Sequence, residues 1–340
     1  MIRLDYRTRR FLWISSRRRH GCTVAVAPIE RTIELSLGRV TAKRRILCDS
    51  SRCMSDPEKH HYLPVFYLKQ WAALDGRVIR YYRPNREVVA HPITPKNTGY
   101  EQGLYSLEGY KPEQRNVIEK NFMAPDVDNP AVAPLRNFLE RRPASELTLP
   151  MKQAWTRFLM SLHVRNPARV EQITGQGAEA LRQMLAKDPE DYNAVRKPDD
   201  PSTLVEWVER YAPALIENYG KSILPGIVTH QPTGNEIIRM HWVVGSYGAT
   251  PDILTCDQSL YLSHGVNDPK CVIALPLSPY AIFFASRQAN SLDKLMRMER
   301  SALIRSINET VVTQAARYVY GAHDRALAFV ERWLAPVSSS

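Results

Sequence analysis

The chain has 340 residues, with 46 Lys and Arg against 35 Asp and Glu, a formal charge of +11. Apolar residues make up 44% and charged residues 24%, a composition that excludes a wholly disordered chain, a collagen-like repeat and a polytopic membrane protein. At roughly 100–200 residues per domain, the length allows one large domain or two modest ones.

The positive charge sits at the start. Residues 1–53 hold 13 Arg and Lys against four acids, a net of +9, so the other 287 residues carry only +2. A nucleic-acid-binding domain is usually basic over its folded part, so nucleic acid is not favoured as a partner. Two readings of residues 1–53 stay open: a solvated, disordered basic extension, or a stretch that precedes the natural start of translation at Met54, where the composition changes abruptly. Arg17-Arg18-Arg19 interrupts the apolar stretch that a twin-arginine signal needs after Arg9-Arg10. Three of the five cysteines, Cys22, Cys48 and Cys53, lie in this segment. No two cysteines have zinc-ribbon spacing, and an odd, scattered set reads as reduced thiols in a cytoplasmic protein.

From Met54 onward, residues 77–91 alternate around Pro84-Asn85 and predict a β-hairpin. Lys96–Leu107 reads as loop with one short strand. Helices are expected over Glu113–Met123, with Pro112 in the first turn, and over Ala131–Arg142. A third is expected from Leu149 to Arg165, where Trp155, Phe158, Leu159 and Leu162 line one face and Asn166-Pro167 stops the run. Ala168–Lys187 is a further helix, and Asp188–Ser202 a proline-rich connection. Thr203 and Glu206 have capping-box spacing and open a helix to Asn218.

After Gly220 the β-branched content rises, and Ser222–His230, Asn235–Gly245, Asp252–Cys256, Val272–Leu275 and Ala281–Ala285 are expected as strands. The longest uncharged apolar run, Cys271–Ser286, has 16 residues and contains Pro276 and Pro279. It is too short for a membrane span of about 20 residues, and reads as strand, turn, strand. A long helix is expected over Leu292–Tyr320, capped by Gly321, then a short one over His323–Leu334. Strands segregate from helices, which predicts an α+β fold. Its antiparallel sheet would come mainly from the C-terminal half with an N-terminal hairpin, packed against a helical layer. The expected layout is one domain over 54–336 and a frayed tail at 337–340.

Four groups of residues are able to carry chemistry. His60 and His61 are adjacent on an extended segment and therefore point to opposite faces; a neutral imidazole shuttles protons near neutral pH. Arg165 lies at the edge of an apolar stripe, where a buried guanidinium needs a carboxylate or an anionic ligand. In Thr255–Ser259 an apolar strand runs into polar residues, so that Asp257 is placed to orient a histidine or pair an arginine, while Cys256 beside it reads as a small buried hydrophobe. Glu119, with Asp126 and Asp128 beyond it, offers carboxylates that would suit a divalent cation. Solvated or turn-forming acids are the plainer alternative.

Together these segments resemble the bacterial family called domain of unknown function 4238. The resemblance runs from about His60 to Tyr320. It rests on the stretch His60–Leu68, on Lys96-Asn97 before Gly103-Leu104-Tyr105, and on Ile118-Glu119. It continues through Arg165-Asn166-Pro167, Thr255-Cys256-Asp257, Leu275–Pro279 and Asn308. The family pattern prefers Ser-Asp-Asn-Pro where this chain has Cys256-Asp257-Gln258-Ser259. The resemblance implies no activity.

The expectation is a cytoplasmic bacterial enzyme of hydrolase type acting on a phosphate-bearing or other anionic substrate. His61 and Asp257 would be catalytic, His60, Arg165 and Tyr67 would bind substrate, and Glu119 would be a candidate metal ligand. The alternative is a non-catalytic module in which the same polar residues bind an anion or a protein, or form a structural ion network. Oligomeric state is not legible.

Overall fold

The computed structural model describes residues 2–5, 10–13, 58–187, 189–248 and 252–336. Most of the basic extension and the 337–340 tail lie outside these residues. The fold is α+β, and the chain divides into two compact units. The division falls within residues 54–336, which the sequence reads as one domain.

The first unit comprises residues 1–56, 107–115 and 171–226. Its described N-terminal strands, β1 (Ile2–Asp5) and β2 (Arg10–Trp13), pair antiparallel. Its helices bury Leu181, Leu185, Tyr192, Trp207, Val208 and Ile216 together. The capping box forms: the Thr203 hydroxyl accepts from the Glu206 N–H, and Glu206 accepts from the Thr203 N–H, both at 3.2 Å. Gly177 and Gly220 let two helices meet backbone to backbone, since a Cβ on Gly177 would lie 2.5 Å from the Gly220 Cα. A cavity of about 150 Å³ is lined by Leu185, Pro189, Tyr192, Thr203 and Val205 among others.

The second unit comprises residues 57–106, 116–170 and 227–340. In chain order its strands are β3 (Lys59–His61), β4 (Val78–Tyr82), β5 (Val89–Ile93), β6 (Tyr100–Gln102), β7 (His241–Ser246), β8 (Thr255–Cys256), β9 (Tyr261–Leu262), β10 (Val272–Ser278), β11 (Ala281–Ser286) and β12 (Val319–Gly321). They form two four-stranded antiparallel sheets, ordered β7-β11-β10-β9 and β5-β4-β12-β8, and the pair β3-β6. The central strands β10 and β11 are buried on both faces. Ile273, Leu275 and Phe283 pack against Phe138, Trp155 and Phe158 of the helices Asn129–Leu139 and Leu149–Val164. Ala274, Ile282 and Phe284 pack on the other side with Leu292 and Leu303. Double burial is why Cys271–Ser286 reads as one continuous apolar run. Pro276 is tolerated there because the register shifts beside it.

Several expected elements differ. The helix expected over Glu113–Met123 is Pro112–Arg115 followed by a π-helix at Glu119–Asp128. The one expected over Thr203–Asn218 is two, Leu204–Tyr211 and Pro213–Ser222, parted at Pro213. The expected connection Asp188–Ser202 holds the helix Pro189–Asn193. Where strands are expected over Ser222–His230 and from Asn235, the chain forms the helices Leu224–Val228 and Gln231–Arg239 before β7 begins. Pro232 occupies a first helical turn, and burial of Leu224 and Val228 one turn apart outweighs β-branched propensity. The long helix expected over Leu292–Tyr320 is two, Ala289–Arg297 and Arg300–Gln314. The Glu299 carboxylate caps the second by accepting from the Ser301 and Ala302 N–H groups, so the chain turns there. Gly321 ends a strand rather than a helix. Among the described residues no helix is long and apolar enough to cross a membrane.

Candidate functional site

Strand β3 pairs with β6, His61 opposite Tyr100, and its two histidines point apart. His60 is fully buried. Its ring stacks on Tyr105 with centroids 5.4 Å apart, and its Nδ1 accepts the Tyr105 N–H at 2.9 Å. His61 faces the other way and is partly exposed. It bonds to the Lys96 backbone, while its Nε2 has no hydrogen-bond partner. A ring that donates Nδ1–H to a carbonyl presents Nε2 as a bare acceptor. Burial, and then the charges of Lys59 and Arg165, hold His61 below the usual imidazole range, so it is neutral at pH 7.

Arg165 is the C-cap of the helix Leu149–Val164, its N–H bonded to the Ser161 carbonyl at 2.9 Å. Its side chain is 1% exposed, laid over the Phe158 ring at 5.5 Å. Nη1 donates to Asp128 Oδ1 at 2.9 Å. Nε and Nη2, whose N–H bonds run parallel, have no partner among the described residues. That edge is the fork with which arginine grips an oxyanion through two bonds. The Tyr105 hydroxyl donates to the Arg165 carbonyl at 3.3 Å.

The carboxylates come from an unusual segment. Glu119–Asp128 winds as a π-helix, closed by the Asn129 N–H on the Ala124 carbonyl. Pro125 lies inside it and has no N–H for the residue four back, so an α ladder is broken there in any case. Burial, then the Asp128 charge, pushes Glu119 up to about 7, with Arg165 pulling the other way. Burial also raises Asp128 against the pull of Arg165. Glu119 Oε2 is buried without a partner.

The remaining expected residues are engaged elsewhere. Tyr67 is fully buried; its hydroxyl donates to the Pro276 carbonyl and bonds Thr255 Oγ1, each at 2.8 Å. Asp257 accepts three backbone N–H groups, from Ala316 at 2.8 Å, Arg317 at 2.7 Å and Tyr318 at 3.0 Å. Both its oxygens hold the turn that feeds β12, and burial raises its carboxyl to about 6 against those bonds. Burial also drives the Cys256 thiol well above its ordinary value, which leaves a weak nucleophile. Among the described residues no three His, Cys, Asp or Glu side chains gather as a metal site, and Glu119 and Asp128 face a guanidinium. From sequence Asp128 stands only as a companion acid to Glu119, with Pro125 inside a helical pattern as its signal, and Tyr105 stands only within a family motif.

The family described as Protein of unknown function (DUF4238) matches residues 59–325. No curated protein and no solved structure matches the chain. The family match starts at Lys59 on β3, takes in His61, Glu119, Asp128 and Arg165, and covers well over half of the sequence: the chain belongs to this family.

Proposed function

We propose that the second unit is a hydrolase whose Arg165 fork binds a phosphate-type oxyanion. The observation that carries this reading is the buried, unpartnered Nε–Nη2 edge of Arg165. Leaving two charged N–H donors unpaired in the interior is costly, and an oxyanion satisfies both. Asp128 holds the other end and fixes the plane of the guanidinium.

Two groups with opposed proton affinities support catalysis rather than binding alone. His61 Nε2 is an unprotonated base at pH 7, and Glu119, at about 7, carries a proton on about half of the molecules. In the reaction His61 takes a proton from water as the water oxygen bonds to phosphorus. The P–O bond to the leaving group breaks with its electron pair on oxygen, and Glu119 supplies that oxygen's proton. One proton then passes through solvent from His61 to Glu119. His60 and Tyr105 keep β3 in place beneath His61. The reading keeps the protein in a bacterial cytoplasm, consistent with the free thiols of Cys256 and Cys271.

The test is turnover of p-nitrophenyl phosphate and bis(p-nitrophenyl) phosphate, with inorganic phosphate binding followed by calorimetry. Arg165→Lys keeps the charge and loses the fork; a drop in kcat/KM of at least 100-fold is expected. Absence of turnover together with absence of Arg165-dependent phosphate binding would overturn the reading.

A further inference from the structure

We infer that β7 is a dimerisation edge. A second copy of the chain lays its own β7 antiparallel to it about a two-fold axis at Val244, which joins two four-stranded sheets into one of eight.

The backbone decides which side of β7 is free. β7 is an edge strand, with β11 on one side only. The Tyr247 N–H donates to the Tyr280 carbonyl at 2.9 Å, in the same register as the ladder that pairs Ser246 with Ala281. In an antiparallel pair, residues bonded to the neighbour alternate with residues whose N–H and C=O groups point away from it. Counting back from Tyr247, the residues Gly245, Val243 and His241 face β11, while Trp242, Val244 and Ser246 turn their backbone groups outward. None of those outward groups has a hydrogen-bond partner among the described residues. The turn Ala144–Glu146 comes close to β7, but Ala144 packs against the core face that Trp242 and Val244 share. The N–H groups of Glu146 and Leu147 are spent within that turn, on the carbonyls of Pro143 and Ala144.

The other edges of the two sheets are blunted. β5 carries Pro92, and β8 and β9 are two residues each. Proline and short length are devices by which sheets avoid unwanted pairing. β7 has six residues, with no proline and no lysine, and its register runs without a bulge. An edge of that length and apolarity is a template for another strand.

A second copy fits it. Centring the axis on Val244 brings every outward residue against an outward residue: Trp242 meets Ser246, Val244 meets Val244, and Ser246 meets Trp242. Each such pair exchanges both of its N–H···O bonds, so all the outward groups of both copies are satisfied. The side chains match in size. Large Trp242 lies opposite small Ser246, and on the other face Val243 lies opposite Gly245, over which the Tyr247 ring folds. No side chain from Trp242 to Ser246 is charged, so self-pairing sets no like charges against each other. A two-fold contact closes on itself and stops at two copies. A contact one strand deep on each side lies at the small end of specific interfaces, and a micromolar dissociation constant is expected.

The test is sedimentation velocity of the full chain from about 1 to 200 µM, with circular dichroism as the check on folding. The wild type should show a reversible monomer–dimer equilibrium. Val244→Pro removes an outward N–H and spares every bond to β11, so it should fold and weaken the dimer at least tenfold. Val244→Lys and Val244→Glu should each be monomeric alone, because like charges then meet on the axis. An equimolar mixture of the two should dimerise, since lysine meets glutamate only if residue 244 pairs with residue 244. That mixture decides the matter even if the proline variant does not fold. A wild type that stays monomeric at 200 µM overturns the inference, and one that also binds a synthetic peptide of residues 241–246 assigns the edge to a foreign strand. A dimer indifferent to all three substitutions overturns it in favour of another surface. A mixture that stays monomeric while the wild type dimerises overturns the axis at Val244.

Discussion

Glu119 and Asp128 stand nine residues apart and share one face, because the segment between them winds as a π-helix. At about 3.6 residues per turn they would lie on opposite sides; at the wider i→i+5 winding, about 4.4 per turn, they coincide. The guanidinium of Arg165 acts on both carboxyls. Asp128 is its hydrogen-bonded partner, while Glu119 Oε2 has none.

Asp128→Asn strands a guanidinium that is 1% exposed. Breaking such a pair costs about 3–5 kcal/mol, and the low end is expected because Glu119 then ionises in compensation. The double variant Arg165→Met/Asp128→Asn should recover most of the loss. Urea unfolding checks both; a single variant within about 0.5 kcal/mol of wild type would show that the pair does not hold the unit together.

Glu119 should make stability fall as pH rises. Its folded value, about 7, lies above the unfolded one, so between pH 4.5 and 7 the folded state binds the extra proton. Stability is highest near the unfolded value and drops by at most about 1.4 kcal/mol per pH unit up to 7, then levels. Burial raises Asp128 and Asp257 in the same direction, so the readout is the difference between wild type and Glu119→Gln across pH 5–8. A flat difference would mean that Glu119 is not a buried acid.

Asp257→Asn replaces one of two accepting oxygens with an amide donor that faces backbone N–H groups. The expected loss is about 2 kcal/mol, seen as a lower urea midpoint. Arg165-dependent phosphate binding should persist in the folded variant. Loss of that binding at unchanged stability would return Asp257 to the site.

Gly99 has φ +65°, and a Cβ there would lie 2.9 Å from the Leu63 Cβ. Its carbonyl accepts the Leu63 N–H at 3.0 Å, which ties the β6 side to the segment after His61. Gly99→Ala combines left-handed strain with overpacking, about 2–4 kcal/mol together. Thermal unfolding measures it, and a neutral variant would show that the loop relaxes.

Much of this was legible in the chain itself. The period-two run around Pro84-Asn85, the apolar stripe from Trp155 to Leu162 and the Thr203–Glu206 box each encode a local structure in a few neighbouring residues, and each forms. The sequence also names His61, Glu119 and Arg165 as candidates, and a guanidinium at the edge of an apolar stripe demands an anion wherever it lands. Local pattern misled where burial overrode it, as at Leu224–Val228, and where one carboxylate turned the chain, as at Glu299.

What the sequence determined alone is the α+β class, the main helices and hairpins, and the family. Those follow from periodicity and turn chemistry, which act between neighbours. The tertiary structure decided which edge of Arg165 stays unpaired, that Asp257 is consumed by three backbone amides, and that Tyr67 serves the core. It also decided that β7 has β11 on one side and no strand on the other. Those outcomes depend on distances between residues tens to hundreds of positions apart, and no local pattern encodes them.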